Sequence, residues 1–223
     1  MSDGGDVSKL SQGLGEVYEI LNMDMKPYPC CRSAHCAIDA VLDIRRQMEA
    51  HMGLTIQREG EAEIMAEQIQ KIEIDTYLVG YKQCAVSDGC LHPKTILDAK
   101  FSTPYSVAAA FLYGTVAMGQ FEPEVVEKKA VQDLLAKVIV QPSDRFTEQY
   151  PKHWGCFMKL TMQDDTCYET EVEDPSGSVE RPLSRVQARN KAEEFLSVVC
   201  PGREQETIEK ILNLAGSERL PVI

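Results

Sequence analysis

The sequence predicts an α+β fold, in which an antiparallel sheet lies among mixed helices and a purely helical segment follows. Apolar and polar residues alternate over residues 72–78 and again through residues 156–172, a pattern typical of half-buried strands. An apolar stripe at helical spacing, from Ala37 to Met48, indicates a long amphipathic helix. Strands and helices do not alternate regularly, which favours α+β over a parallel sheet built from βαβ units.

The first long helix is predicted from its flanking residues. Two prolines keep the chain extended just before it, and Ser33 is the expected N-cap. The helix should continue to about His51 and end at Gly53, because glycine readily adopts the left-handed conformation that closes a helix. The charged stretch 57–70 is compatible with a surface loop or a short helix before the first strand.

The middle of the chain carries two further helix signals. Thr103, followed by a proline, is a favourable cap for an Ala-rich helix that should stop near Gly114 or Gly119. Another helix is expected over residues 123–136, and a short strand over residues 137–140.

The last third combines a hairpin with helices. Residues 156–172 alternate on both sides of a two-aspartate turn, which predicts a β-hairpin. Ser184 and Gln187 form a capping-box pattern for a helix to about residue 199, and a final helix should cover residues 203–214.

Composition breaks divide the chain into three parts. Residues 1–20 begin Gly-, Ser- and Asp-rich and are expected to be mobile. Residues 21–178 should form the α+β domain, which ends at the DPSGS break over residues 174–178. Residues 179–223 should form the C-terminal helices.

Charge and composition exclude several classes of protein. With 23 basic and 35 acidic residues the net charge is −12, which disfavours nucleic acid and anionic lipid as partners. No apolar run approaches the roughly 18 residues of a membrane span, and the N-terminus lacks a secretory pattern, so a cytoplasmic protein is expected. The motifs GxSxG, GxxxxGK[ST], GxGxxG and HExxH are absent, which removes the common hydrolase, kinase, dinucleotide and zinc-protease interpretations.

The eight cysteines are expected to be reduced thiols rather than a disulfide framework. Cys30, Cys31, His35 and Cys36 lie close together, but their spacing does not match a standard zinc motif. No metal is therefore expected, and half-buried thiols are the simpler interpretation. A thiol- or metal-based regulator at Cys30, Cys31 and Cys36 is the least favoured alternative.

The segment KPYPCCRSAHC, beginning at Lys26, carries the first functional signal. Lys26 and Arg32 flank the predicted start of a helix, where free backbone N–H groups and the helix dipole attract anions. Together these groups could bind a carboxylate. The alternative is a rigid turn whose charges are simply solvated.

The segment DAKFSTPYSVAAAF, beginning at Asp98, carries the second signal. Tyr105 is on the first turn of the predicted helix, where its phenol could face a cleft. A neighbouring cation that lowered its pKa would let this group act as a general acid or base. A tyrosine packed on the domain surface with its hydroxyl in water is equally compatible with the sequence.

These segments resemble a known family. KPYPCCRSAHCAIDA, AKFSTPYSVAAAFLYG and DPSGSVERPLSRVQARNKAEEFL are similar, in this order, to three stretches from the C-terminal half of MmgE/PrpD proteins. Members of the family include 2-methylcitrate dehydratase, cis-aconitate decarboxylase and iminodisuccinate epimerase. The resemblance implies a lid domain over residues 21–178, final helices that pack on a large helical domain, and an active site between the two.

The resemblance also implies roles for particular residues. Lys26 matches the family lysine that enters the site from the lid, and Tyr105 matches a tyrosine of the same pocket. Cys31 stands where the decarboxylase branch has a histidine, and His35 aligns with another histidine of this segment, although a core role is equally compatible. Arg32 could replace the missing cation in holding a substrate carboxylate, which is an inference from its charge and position.

The family's N-terminal helical half has no counterpart in these 223 residues. We therefore expect part of a cofactor-independent lyase or isomerase for small di- or tricarboxylic acids. It would be completed by a separate helical subunit, by a homodimer, or by both. The alternative is a non-catalytic lid module that binds a small acid or a partner.

Overall fold

The computed structural model of the protein describes residues 5–56 and 59–216. It contains a four-stranded sheet with strand order β2-β1-β3-β4. The strands are β1 (Ile69–Thr76), β2 (Val138–Pro142), β3 (Cys156–Met162) and β4 (Cys167–Val172). The predicted α+β class is confirmed.

The sheet is mixed rather than wholly antiparallel. β1 pairs antiparallel with β3, and β3 pairs antiparallel with β4, so the predicted hairpin is confirmed. β1 and β2, however, are parallel, with Ile72 opposite Val138. Parallel neighbours require a crossover connection, and residues 77–137 supply one that is largely helical. Local alternation in the sequence could not reveal this pairing.

The described residues contain eleven α-helices, most of them short. They are α1 (His35–Met52), α2 (Glu59–Glu67), α3 (Leu78–Cys84), α4 (Asp88–Leu91), α5 (Ile96–Lys100), α6 (Thr103–Tyr113), α7 (Pro123–Val126), α8 (Lys129–Leu135), α9 (Asp144–Gln149), α10 (Arg185–Val199) and α11 (Glu204–Leu212). Five short 3-10 helices lie over Val7–Ser11, Glu19–Asn22, Arg32–Ala34, Met118–Phe121 and Leu214–Gly216. None of the helices in this part of the chain is long and apolar enough to cross a membrane.

The core lies between one face of the sheet and the helices α1 and α6. Helix α6 buries every residue from Thr103 to Leu112, and it contacts α1, α2 and α8. Alternate residues of β1 and β3, such as Ile74 and Met158, face the same core. Because α6 is apolar on all sides, it is enclosed by other elements.

The start of the first long helix differs from the prediction. The N-cap position belongs to Ala34, which makes no side-chain cap, after a 3-10 turn over Arg32–Ala34. The Ser33 hydroxyl instead donates to Gln83 Oε1 over 2.8 Å. The Ser33 cap is therefore wrong, whereas the end at Gly53, with φ +63°, is confirmed.

Three other boundaries moved by a few residues. Ser102, rather than Thr103, caps α6, which ends at Gly114 with φ +70°. The helix predicted over residues 123–136 is interrupted at Glu127 and divides into α7 and α8. In the first strand, Leu78 already begins α3.

The C-terminal helices follow the prediction closely. Ser184 accepts a hydrogen bond from the Gln187 N–H, and the Gln187 side chain returns one, which completes the predicted capping box of α10. Residues 217–223 of the predicted third part, like residues 1–4 and 57–58, lie outside the described residues. The predicted mobility of residues 1–20 and the boundary after residue 178 stay predictions.

Candidate functional site

The segment before α1 is held in place by contacts with distant parts of the chain. The Cys31 N–H donates to the Lys100 carbonyl over 2.8 Å, and the Met25 N–H donates to the Gly177 carbonyl over 2.7 Å. Gly177 has φ +79°, and a Cβ there would lie 1.9 Å from the Met25 carbonyl oxygen. Only glycine fits this close approach of two backbones. The Pro-rich segment is therefore fixed against both α5 and the loop that follows β4.

A buried carboxylate completes this attachment. Asp39 of α1 accepts hydrogen bonds from the Tyr28 hydroxyl (2.6 Å), the Ser176 N–H (2.6 Å) and the Arg181 guanidinium (3.1 Å). The charge on Asp39 is thus shared among three elements, and it ties the loop over residues 174–181 to the start of α1.

Arg32 lies inside this arrangement and is only 8% exposed. Its guanidinium pairs with Asp24 at 2.9 Å, donates to the Ser176 carbonyl over 2.9 Å and lies 3.1 Å from His35 Nδ1. These donors are used within the protein, so Lys26, and not Arg32, is the exposed cation of the segment.

His35 is completely buried, with its ring edge-on against Tyr28 at 5.1 Å between centroids. Because a guanidinium only donates, Nδ1 accepts from Arg32 and the ring proton is on Nε2. Burial, together with the neighbouring Arg32, lowers the pKa of His35 to about 3. The structure thus places His35 in the core as a neutral imidazole.

Tyr105 also lies in the core rather than at a cleft. It is completely buried, its ring packs against Phe121, and its hydroxyl donates to the Gln120 carbonyl. Burial raises the pKa of its phenol, the opposite of the shift that a general base at neutral pH requires. The expectation that this phenol faces a cleft is not met, because α6 is enclosed on all sides.

Cys31 is half-buried, before the start of α1. The influence of Cys84, at the end of α3, and of Ser33 lowers the pKa of Cys31 to about 6, and Lys26 makes a smaller contribution. A thiolate therefore predominates at neutral pH. The influence of Cys31, together with burial, raises the pKa of Cys84.

Three lysines gather around this cysteine segment. Lys26 and Lys100 are both close enough to Cys30 to oppose the rise that burial causes in its pKa, and Lys191 of α10 donates to the Lys26 carbonyl. Burial and the like charge of Lys26 lower the pKa of Lys191. We call Lys26, Lys100 and Lys191 the lysine cluster. Sequence analysis identified Lys26 but not the other two, because α10 and α5 reach this place only through the fold.

A groove of about 240 Å³ lies beside the lysine cluster, between the Pro-rich segment and α10. Pro27 and Tyr28 form one wall, and Gln187, Asn190, Lys191 and the acidic Glu194 lie on the other. The groove is large enough for a small organic acid and offers amide and ammonium donors to it.

All eight cysteines are free thiols. Within residues 5–56 and 59–216, no group of three or more His, Cys, Asp or Glu side chains has the arrangement of a metal site. The groove itself is lined by the amide groups of Gln187 and Asn190, the ammonium of Lys191 and the carboxylate of Glu194.

Comparison with known proteins places these features in a family. The model of the MmgE/PrpD C-terminal domain matches residues 28–215, which is most of the chain. A curated relative is the cis-aconitate decarboxylase-like protein oryM of Aspergillus oryzae, which is 24% identical over 214 residues. The match covers 94% of this chain but 41% of that protein, so the chain spans about two fifths of the relative's length.

Proposed function

The chain belongs to the MmgE/PrpD family through that family's C-terminal domain, and on this premise we propose that it is the lid part of a lyase or isomerase for small di- or tricarboxylic acids. The lysine cluster is the observation that carries this proposal. In a chain with a net charge of −12, two of these lysines, Lys26 and Lys191, meet beside the groove between the Pro-rich segment and α10. Local positive charge in an acidic protein is what an acidic substrate requires.

Lys26 and Lys191 supply the binding energy in this scheme. Lys26 is exposed, and Lys191 lines the groove, so the two ammonium groups can contact different carboxylates of one molecule. A hydrogen bond between charged groups contributes about 1.5–3 kcal/mol. A substrate with two or three carboxylates is therefore favoured over a monocarboxylate.

Proton transfer is proposed for Cys31 rather than for Tyr105. Cys31 is partly exposed and carries a thiolate at neutral pH, so it can remove a proton from the carbon next to a carboxylate. Lys26 then stabilises the enolate-like charge that develops. Loss of water or carbon dioxide, or return of the proton to the opposite face, completes the reaction. The scheme uses no metal or organic cofactor.

The C-terminal helices are proposed to bind a partner. None of the fifteen residues of α10 is buried, and Val198 and Val199 are each 80% exposed. Phe195 (42%), Ile211 (44%) and Leu212 (65%) add to this apolar surface, whereas Ile208 is buried. Covering such a side chain contributes about 1.5–3 kcal/mol. A helical domain on a separate subunit, or a second copy of this chain, would cover it.

The test is co-expression with a neighbouring gene that encodes a helical domain. Light scattering after size exclusion would identify a complex, and 2-methylcitrate, citrate and cis-aconitate would serve as substrates. We expect one of them to be turned over, and Lys26→Ala to lower kcat/KM by about a hundredfold, as for other lost charge-stabilising donors.

The matched control is Lys129→Ala, since Lys129 is exposed on α8 outside the lysine cluster. This variant should keep the activity of the parent complex. Equal losses in the two variants would contradict a specific role for Lys26.

A non-catalytic acid-binding module is the second candidate, favoured by the uncovered face of α10. Calorimetry separates the two candidates. Binding of an acid that Lys26→Ala abolishes, without turnover in any complex, would establish the module instead of the enzyme.

A further inference from the structure

We propose that residues 86–118, on the crossover between β1 and β2, form a surface on which a second copy of this chain docks about a two-fold axis. The structure describes all of this stretch, and six of its large apolar side chains are substantially exposed. They are Leu97 (66%), Val86 (47%), Phe101 (44%), Ile96 (42%), Met118 (40%) and Leu91 (39%). We call these six residues the crossover patch. The proposal concerns assembly and not catalysis, so it does not depend on the proposed function.

The crossover patch is formed by elements that touch one another. Helix α5 contacts both α4 and the 3-10 helix Met118–Phe121. The Ser102 hydroxyl, just after α5, donates to the Cys90 carbonyl of α4 and holds the two helices together. Leu97 and Phe101 are four positions apart, so they project from the same face of α5. Single exposed apolar residues are normal on a protein surface, whereas a cluster of this kind marks an interaction site.

The charge of this stretch differs from that of the whole chain. Residues 86–118 contain two aspartates, Asp88 and Asp98, and two lysines, Lys94 and Lys100, so their formal charges cancel, whereas the chain carries −12. Two copies of an anionic chain repel each other unless they meet at a neutral face, and like charges placed opposite each other lower the affinity. A neutral apolar patch is therefore suited to a second copy of the same chain.

The charged residues of the stretch also allow the patch to pair with itself. In a two-fold interface the same surface faces itself, so each group finds its partner among the groups of that surface. Asp88 and Lys94 are both exposed, on either side of Leu91 in the sequence. About a two-fold axis, Lys94 of one copy can pair with Asp88 of the other, and the same pair then occurs twice in the dimer.

The crossover patch also has the area that a dimer needs. A fully exposed side chain of this size presents roughly 150–200 Å², so the six at their observed exposures present on the order of 500 Å² of apolar surface. A standard interface buries about 800 Å² per partner, of which about 60% is apolar. The patch therefore supplies the apolar part, and the polar groups around it supply the rest.

The first measurement is the mass of the full chain by light scattering or sedimentation, over a dilution series from about 100 μM to about 1 μM. We expect a dimer that dissociates on dilution. Leu97→Asp places a carboxylate on the most exposed residue of the patch in both copies. An acidic residue in the first turn of a helix is favourable, so α5 should stay folded.

Loss of a central contact raises the dissociation constant at least about thirtyfold. Because a two-fold dimer contains the substitution twice, Leu97→Asp should raise the dissociation constant of the dimer by roughly a thousandfold.

Two matched controls carry the same change on other surfaces. Ile64 on α2 and Leu212 on α11 are each 65% exposed, nearly the same as Leu97. Ile64→Asp tests for a general effect of added negative charge, and Leu212→Asp tests the apolar surface of the C-terminal helices. Both variants should keep the dissociation constant of the parent. Unchanged Trp154 fluorescence would confirm the fold of each variant.

The second measurement uses the unaltered chain, so it does not depend on how a variant folds. Isotope-labelled and unlabelled chains are mixed, allowed to exchange and treated with an amine-reactive crosslinker. Mass spectrometry then identifies links that join one labelled and one unlabelled peptide. We expect such links between copies at Lys94 and Lys100, and not at Lys129 on α8.

Three outcomes would overturn the proposal. One is a chain that stays monomeric at about 100 μM, including the case in which Leu97→Asp instead weakens a complex with a helical subunit. Another is a dimer that Leu97→Asp leaves as tight as the parent. The third is a dimer that only Leu212→Asp dissociates, which would assign the second copy to the C-terminal helices.

Discussion

Replacing Asp39 by alanine should destabilise the protein strongly, because this carboxylate joins α1 to the segment before it and to the loop after β4. Three donors lose their acceptor: the Tyr28 hydroxyl, the Ser176 N–H and the Arg181 guanidinium. Asp39 itself is 6% exposed, so water does not easily replace it.

The magnitude follows from these contacts. Hydrogen bonds to a charged group contribute about 1.5–3 kcal/mol each, and removing one partner of a buried ion pair costs about 3–5 kcal/mol. The Arg181 side chain is 51% exposed and can be rehydrated, which reduces its part. We therefore expect a loss of about 3 kcal/mol.

The assay is urea unfolding followed by the fluorescence of Trp154, the only tryptophan of the chain. Trp154 packs against Tyr77 and Tyr150, so unfolding changes its surroundings. With a urea m-value of about 3 kcal/mol/M, the midpoint should fall by about 1 M. Asp39→Asn should lie between the parent and Asp39→Ala, because the amide oxygen still accepts hydrogen bonds.

Asp43→Ala is the control, one helical turn further along α1. Asp43 accepts from Arg46, Gln47 and Thr170, but its side chain is 39% exposed. Its loss should cost about 1 kcal/mol. Equal midpoints for Asp39→Ala and Asp43→Ala would refute the reasoning that Asp39 joins the three elements.

Three further predictions concern other buried groups. The pKa of His35 is about 3 in the folded protein and about 6.5 in the unfolded chain, so the unfolded chain binds more protons between these two pH values. Acidification from pH 6.5 to pH 3 should therefore lower the free energy of unfolding by up to about 5 kcal/mol. His35→Gln should flatten this part of the pH dependence, measured by urea unfolding at several pH values. Gly177→Ala should lower the free energy of unfolding by about 2 kcal/mol or more, because the new Cβ would collide with the Met25 carbonyl. The control is Gly60→Ala on α2, where the new Cβ lies in open space, and it should raise the free energy of unfolding by about 0.5–1 kcal/mol. Tyr105→Phe removes the hydrogen bond to the Gln120 carbonyl, so it should lower stability by about 1 kcal/mol and leave the activity of the completed enzyme nearly unchanged. A loss of activity like that of Lys26→Ala would instead support the catalytic role first expected for this phenol.

Elements with short-range signals were predictable from the sequence. The capping box at Ser184, the hairpin of β3 and β4 and the end of α1 at Gly53 each depend on residues within a few positions of one another. Such signals act in the local chain, so their outcome does not depend on the rest of the fold.

Features that depend on distant partners were not predictable. Ser33 has the right chemistry for a cap, but Gln83, fifty positions away, takes its hydroxyl instead. Arg32 has the right charge for a substrate, yet the Ser176 carbonyl, 144 positions away, accepts from it. Residue type indicated what each group could bind, and the tertiary fold determined which partner it has.

The convergence of the family-like stretches favours a functional site over charges that are merely solvated. The first stretch bonds to the second through Cys31 and Lys100, and to the third through Asp39 and Ser176. Lys191 then joins Lys26 from a helix with no buried residue. Burial and, to a smaller extent, the like charge of Lys26 lower the pKa of Lys191, so placing two ammonium groups here is unfavourable. A bound polycarboxylate would relieve this repulsion, so the same contacts that cost stability in the free chain would favour binding of such an acid.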